Sequence, residues 1–193
     1  MNIYINGMGN ISPQKSFGDT HFLNDPSLCD ENRCSCVEPD YRDYIDPRVS
    51  RRMSRIIKMG IASAKMALAD GGVTMPGAII VGTGLGCVAD TSQFLDEIVA
   101  SEGGMSSPTA FIQSTHNTIS SQIAIQLSCR NYNSTYVHRV HSFESALLDA
   151  ILQIKSGSIT DALVGGVDEN TPRLASLARE MGLSVRTDKN GVD

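Results

Sequence analysis

Apolar positions along the chain switch between two spacings, and the switches mark out alternating strands and helices. Ile3 to Gly7 reads as a short first strand. A polar, cysteine-containing stretch from Asn10 to about Tyr44 follows, with no clear period. Asp46-Pro47 then signals a helix start, because Asp caps and Pro suits the first helical position. Val49, Met53, Ile56, Ile57, Gly60, Ile61, Ala64 and Leu68 recur at three- and four-residue spacing. That predicts one long helix, stopped by Gly71-Gly72.

Ala78 to Val81 is a wholly apolar strand that runs into Gly82-Thr83-Gly84-Leu85-Gly86. Asp90 to about Val99 predicts a helix and Glu102 to Pro108 a loop. Asn117 to Leu127 predicts another helix, through Ile119, Ile123 and Leu127. The stretch from Thr135 to Gly166 reads as a β-branched strand, a sharp corner, a helix and a strand ending in Gly165-Gly166. Its helix begins near Ser142-Phe143 and carries Ala146, Leu147, Ala150, Ile151 and Ile154. Continuous apolar strands alternating with helices predict an α/β fold, a mainly parallel mixed sheet with helices on both faces. No internal repeat is visible.

Length and charge narrow the picture. With 193 residues the chain is long enough for one domain with a real core. No apolar run approaches the roughly 20 residues of a membrane span. The opening MNIYINGMGN lacks the basic and apolar regions of a signal peptide. A net charge of −5 argues against a nucleic-acid footprint. Without a secretion signal, the five cysteines read as reduced thiols of a cytoplasmic protein.

Several motifs fall short of the chemistry they suggest. In Gly82-Thr83-Gly84-Leu85-Gly86 the third glycine of GxGxxG would fall on Cys87, and no acidic partner follows, so the segment reads as a tight strand-to-helix turn. Cys29, Cys34 and Cys36 lack zinc spacing, while Cys87 and Cys129 read as small buried thiols. No metal or cofactor is expected. His138 and His141, three apart on an extended strand, would point to opposite faces. His141-Ser142 lacks both a third orienting group and the glycines of a nucleophile elbow. Arg48, Arg51, Arg52, Arg55 and Lys58 read as a solvated helix face, and as the place where an acidic partner would dock.

The order of these segments resembles the first half of the condensing β-ketoacyl synthases of the thiolase superfamily. MNIYINGMGNISPQ sits at their opening strand and turn, and RRMSRIIKMGIASAKMALADGG at their long first helix. VGTGLGC, SPTAFIQSTHNTISSQIAIQL and the segment Thr135 to Gly166 follow in the same order. The resemblance covers nearly the whole chain. It is nearest to the divergent branch associated with aryl-polyene and flexirubin-type pigment pathways. It implies a thiolase-like fold, of which residues 1–193 would be the N-terminal domain. The second half, source of two histidines and a lysine in complete ketosynthases, would be missing, in a natural half-protein or a fragment alike.

In those enzymes a nucleophilic cysteine stands at the corner before the buried helix. Gapless alignment on Ser156-Gly157, Asp161-Ala162-Leu163 and Gly165-Gly166 puts Val140 there. A valine cannot attack a thioester. The resemblance therefore implies a non-catalytic partner, akin to a chain-length factor, that shapes an acyl tunnel in lipid, polyketide or aryl-polyene synthesis. Its rivals are an active 3-oxoacyl synthase or acyltransferase completed by another chain, and a structural homodimer without ligand. The resemblance further makes His138, Val140, His141, Ser142 and Phe143 the acyl-pocket corner. Thr115, His116, Asn117, Thr135, Tyr136 and Val137 would lie at a dimer seam, and Arg48, Arg51, Arg52 and Arg55 would meet an acyl carrier protein. An apolar face of Phe143, Leu147, Ile151 and Ile154, with the edge strand from Ser134 to Val137, implies a homodimer or a pair with an intact ketosynthase.

Overall fold

A computed structural model describes residues 2–14, 16–17, 34–101 and 107–182. Cys29 and most of the loop read between Glu102 and Pro108 lie outside the described residues. The chain divides into two compact units, Met1–Asn10 with Asp40–Glu169 and Ile11–Pro39 with Asn170–Asp193.

The larger unit is built on a three-stranded parallel sheet. Its strands are β1 (Ala78–Gly82), β2 (Tyr132–Tyr136) and β3 (Leu163–Gly166), in the order β2-β1-β3. Ala78 pairs with Tyr132 on one side of β1, and Ile79 with Leu163 on the other. Every residue of β1 is buried, which explains its unbroken apolar run: a central parallel strand is covered on both faces. Alternation along the strand divides the core. Ile79 and Val81 pack with Ile57, Ile61, Ile119 and Ile123, while Ala78 and Ile80 pack with Ala146 and Ala150. The first set comes from α2 (Arg55–Asp70) and α5 (Thr118–Leu127), the second from α6 (Ser142–Lys155). Helices thus cover both faces, as the sequence pattern predicts.

Three expectations change. The long helix is two: α1 (Pro47–Ser50), capped by the Asp46 carboxylate on the Arg48 amide at 2.7 Å, and α2. Ser54, extended at φ −67° and ψ 167°, separates them. Ile3 to Gly7 is no strand. That segment lies along α2 instead, with the Met8 amide donating to Asp70 Oδ2 at 2.9 Å. Gly7 and Gly9 ride directly on the helix backbone: a Cβ on Gly9 would stand 2.2 Å from the Ser63 carbonyl oxygen. Two helices are additional to the expected set. α4 (Pro108–Ser114) follows α3 (Val88–Ala100), and α7 (Pro172–Glu180) lies in the smaller unit. Both start with Pro at the first turn after Ser107 or Thr171, the same signal that marks α1. In the smaller unit Cys34 is disulfide-bonded, against the all-reduced expectation, whereas Cys36 is free.

One packing contact sets the position of α6. A Cβ on Gly82 would lie 2.4 Å from the Ser142 carbonyl and 2.6 Å from the Phe143 nitrogen. Those are rigid backbone atoms. Gly165, in the neighbouring strand, has nothing within 4 Å of the same position. Gly82→Ala is expected to cost about 3 kcal/mol or more, as overpacking against backbone does. Gly165→Ala should stay within about 1 kcal/mol. Urea denaturation of both variants checks the contrast, and equal stabilities would refute the contact.

Candidate functional site at the carboxyl end of the sheet

Because the three strands are parallel, the loops after them gather at one end, where ligands of open α/β sheets bind. After β1 comes the turn Gly82-Thr83-Gly84-Leu85-Gly86, after β2 the corner His138 to Ser142, and after β3 the segment Val167 to Glu169. Thr83, fully buried, joins all three. Its hydroxyl donates to Asp168 Oδ1 at 3.1 Å and accepts from the Gly86 amide at 2.9 Å. Its carbonyl accepts from the Ser142 hydroxyl at 2.8 Å. Asp168 Oδ1 also takes the Gly84 amide at 2.7 Å.

The corner is a 3-10 turn, Arg139–His141, leading straight into α6. Arg139 has φ 55°, the left-handed region that bulky side chains avoid. The buried Ser142 hydroxyl holds it there, lying 2.7 Å from the Arg139 carbonyl while accepting from the His138 amide at 2.9 Å. Ser142 is therefore a tie between loops, with its proton engaged by carbonyls. Val140 stands on the turn at 81% exposure and Phe143 at 44%.

The strand ends at Tyr136, before either histidine, so the opposite-faces argument does not apply to them. His138 Nδ1 lies 2.9 Å from Ser145 Oγ, a pairing the sequence reading did not foresee. The Ser145 hydroxyl donates to the His141 carbonyl at 2.8 Å, so the His138 ring meets an oxygen whose proton is already in use. Among the described residues no three His, Cys, Asp or Glu side chains form a metal-holding group.

The other candidates scatter. The Thr135 hydroxyl bonds Ser120 at 2.7 Å, toward α5. Tyr136 faces α6, where burial and then Asp149 push its phenol up; Tyr132 donates to the same carboxylate at 2.9 Å. Val137 is exposed, just past the end of β2. Thr115 bonds the Thr118 hydroxyl at 2.9 Å, and Asn117 occupies the N-cap position of α5 without a side-chain cap bond. His116 packs on Gly86, whose φ is +69°. The α4–α5 junction thereby joins the carboxyl-end loops. Arg48 and Arg52 line a groove of about 360 Å³ that neither Arg51 nor Arg55 reaches. Arg55 acts instead on Glu169, where its charge favours the carboxylate.

Acidic groups close the turn to phosphate. Glu169 accepts from the Ala89 amide at 2.9 Å, in the first turn of α3, and Asp168 holds the Gly84 amide. These are the donors a nucleotide would use. Burial pushes Glu169 up, with Asp90 adding to the rise. Burial also raises Asp90, whose Oδ2 has no hydrogen-bond partner among the described residues; the nearby Ser54 offsets part of the cost. Cys87, buried beside both carboxylates, is pushed up to about 12, so it is held as an unreactive thiol. The outward face of α6 carries Phe143, Leu147, Leu148 and Leu152, while Ala146, Ala150 and Ile154 turn inward. The exposed apolar face expected from Ile154 is thus shifted around the helix.

Two predictions follow from these contacts. Ser142→Ala leaves the buried Thr83 carbonyl without its donor and the His138 amide without its acceptor, at a cost of about 1–3 kcal/mol, read from denaturation midpoints. The second concerns pH. A carboxyl raised in the fold contributes stability below its unfolded pKa and loses it as pH rises through the folded one. Asp90→Asn removes that loss. Its melting temperature should exceed the parent's at pH 7, and the gain should fade toward about pH 4. An equal difference at both pH values would exclude the burial of this charge.

The family described as beta-ketoacyl synthase, N-terminal domain, matches residues 31–180. No match arises among curated proteins. Among solved structures, the ishigamide ketosynthase/chain length factor superposes with a TM-score of 0.67 at 22% identity, over 80% of this chain and 40% of that one. A ketosynthase in complex with its chain length factor from Xenorhabdus doucetiae gives 0.58 at 19%, over 81% and 60%. A type II polyketide synthase carrier protein in complex with its ketosynthase gives 0.60 at 18%, over 76% and 44%. At these identities the likeness is one of fold. The chain spans between 40% and 60% of the length of these structures.

Proposed function

The chain belongs to the beta-ketoacyl synthase N-terminal domain family, and from that premise we propose that it is a ketosynthase-like partner subunit without a condensing nucleophile of its own. The corner before α6 supports this reading: Val140 stands on it, and in the gapless match to the family's motifs that position is the one of the nucleophilic cysteine. No other thiol near the sheet's carboxyl end substitutes for it among the described residues, since Cys87 is buried and strongly disfavours the thiolate.

The partner is an intact ketosynthase, with the pair working in polyketide or aryl-polyene synthesis and a shared acyl tunnel beside His138, Val140, His141, Ser142 and Phe143. Two surfaces support a pair over isolation. β2 is an edge strand, with an open side among the described residues next to Val137. The outward α6 leucines form a second apolar surface, the kind that marks an interaction site. Thr115, His116 and Asn117 belong to the seam in this reading. An acidic carrier protein would meet Arg48, Arg51 and Arg52, whose guanidinium groups have no acidic partner among the described residues. The solved complexes of ketosynthases with a chain length factor or a carrier protein lend this arrangement plausibility.

The decisive experiment uses the full chain alone and co-expressed with a type II ketosynthase. Alone, with acyl- and malonyl-carrier protein, it should form no β-ketoacyl product, and a fluorophosphonate should leave Ser145 unlabelled. Val140→Cys should introduce a thiol titrating below the ordinary value of about 8.5, followed by alkylation rate against pH. The co-expressed chains should elute together. Turnover by the isolated chain, or labelling of Ser145, would replace the partner reading with an acyl-transferring enzyme.

A further inference from the structure

We infer that the groove beside α1 binds a free single-chain amphiphile with a carboxylate head, such as a medium-chain fatty acid. Its lining is largely apolar, with Val49, Met53, Ile57 and Ile112, and it includes Arg48 and Arg52 beside a threonine and two glutamines. Ile57 is fully buried, whereas Val49 and Ile112 stay open to solvent at 42% and 57%. Large apolar side chains left exposed one by one are ordinary, but these share a concavity. Its volume of about 360 Å³ lies near the lower end of small-ligand pockets, room for a single chain.

The charge selects the head group. Arg48 and Arg52 are four residues apart, and neither guanidinium has an acidic partner among the described residues. Two arginines without acidic partners in a largely apolar lining complement a carboxylate with a hydrocarbon tail, because the planar guanidinium fork binds carboxylate oxygens in pairs. The chain as a whole is acidic, net −5, so an anion is attracted only where basic side chains gather, as they do here. Two lining segments are tied together: the Gln113 amide donates to the Arg52 carbonyl, joining the segment after α1 to α4. Carrier docking needs only outward-facing arginines and no apolar lining. The inference shares Arg48 and Arg52 with that reading, but its test contains neither carrier nor partner, so either can fail without the other.

Titration calorimetry of the full chain, with no carrier or partner present, tests it with three probes. Octanoate should bind saturably at one site. Butyrate, which lacks the tail, and 1-octanol, which lacks the charge, should each bind at least roughly tenfold more weakly. Arg48→Gln with Arg52→Gln should weaken octanoate by a similar factor, as should Ile112→Asn, while Arg51→Gln, outside the groove, leaves it unchanged. Should the double variant unfold, methyl NMR of Met53 and Ile112 in the unaltered chain reads the site directly, and both signals should shift with octanoate. Octanol binding as tightly as octanoate, Arg51→Gln acting like Arg52→Gln, or unshifted methyl signals would each overturn the inference.

Discussion

The missing Cβ of Gly82 is the constraint from which the sheet's carboxyl end is built. Because that strand residue has no side chain, the first turn of α6 comes down onto the end of β1 at backbone contact distance. Only at that range does the Ser142 hydroxyl reach the Thr83 carbonyl, and Thr83 in turn reaches Asp168. Three loops from distant parts of the chain are thereby held in one arrangement. A buried hydroxyl so placed has to satisfy its hydrogen bonds, or it costs more than it contributes. Here the same two side chains, Thr83 and Ser142, satisfy several backbone groups as well as themselves.

How much of this was legible in the sequence depends on the range of the interaction. β1 was readable because burial on both faces leaves a continuous apolar run, and Gly71-Gly72 because a helix stop is local chemistry. The break between α1 and α2 was hidden: Val49 and Met53 keep helical spacing across it. Ile3 to Gly7 carries strand-like residues, yet its glycines fit it to a helix instead, a contact no local pattern encodes. α4 and α7 are short, so their helical period is weak, although Ser107-Pro108 and Thr171-Pro172 repeat the start signal of α1. At the site, the corner ahead of α6 is legible where the strand pattern gives way to the helical one, and its chemistry only through the resemblance. The bond from Thr83 to Asp168 spans 85 residues and could come only from the fold.

The two faces of α6 show why apolar content alone misjudges a helix. Ala146, Ala150 and Ile154, four residues apart, form the stripe that meets the sheet, and the small alanines let the helix lie close to β1. The leucines at 147, 148 and 152 point away from it. A helix apolar on both sides satisfies only half its surface within this unit. That asymmetry, more than any catalytic group, gives the partner reading its physical basis: burying the second face is favourable in proportion to the area removed from water.

Strain at Arg139 bears on what the corner is for. A left-handed arginine costs on the order of 1–3 kcal/mol and persists only where surrounding contacts over-determine it. Those contacts are present: the Ser142 hydroxyl grips the Arg139 carbonyl and the His138 amide together, and is itself anchored on β1. None of the three bonds involves the side chain of Val140. The corner's shape therefore does not rest on the Val140 side chain, and under the proposed function a valine can stand there without disturbing the fold. Under the proposed function the turn persists for its form: it presents Val140 and Phe143 outward at the start of a helix whose outer face awaits a partner.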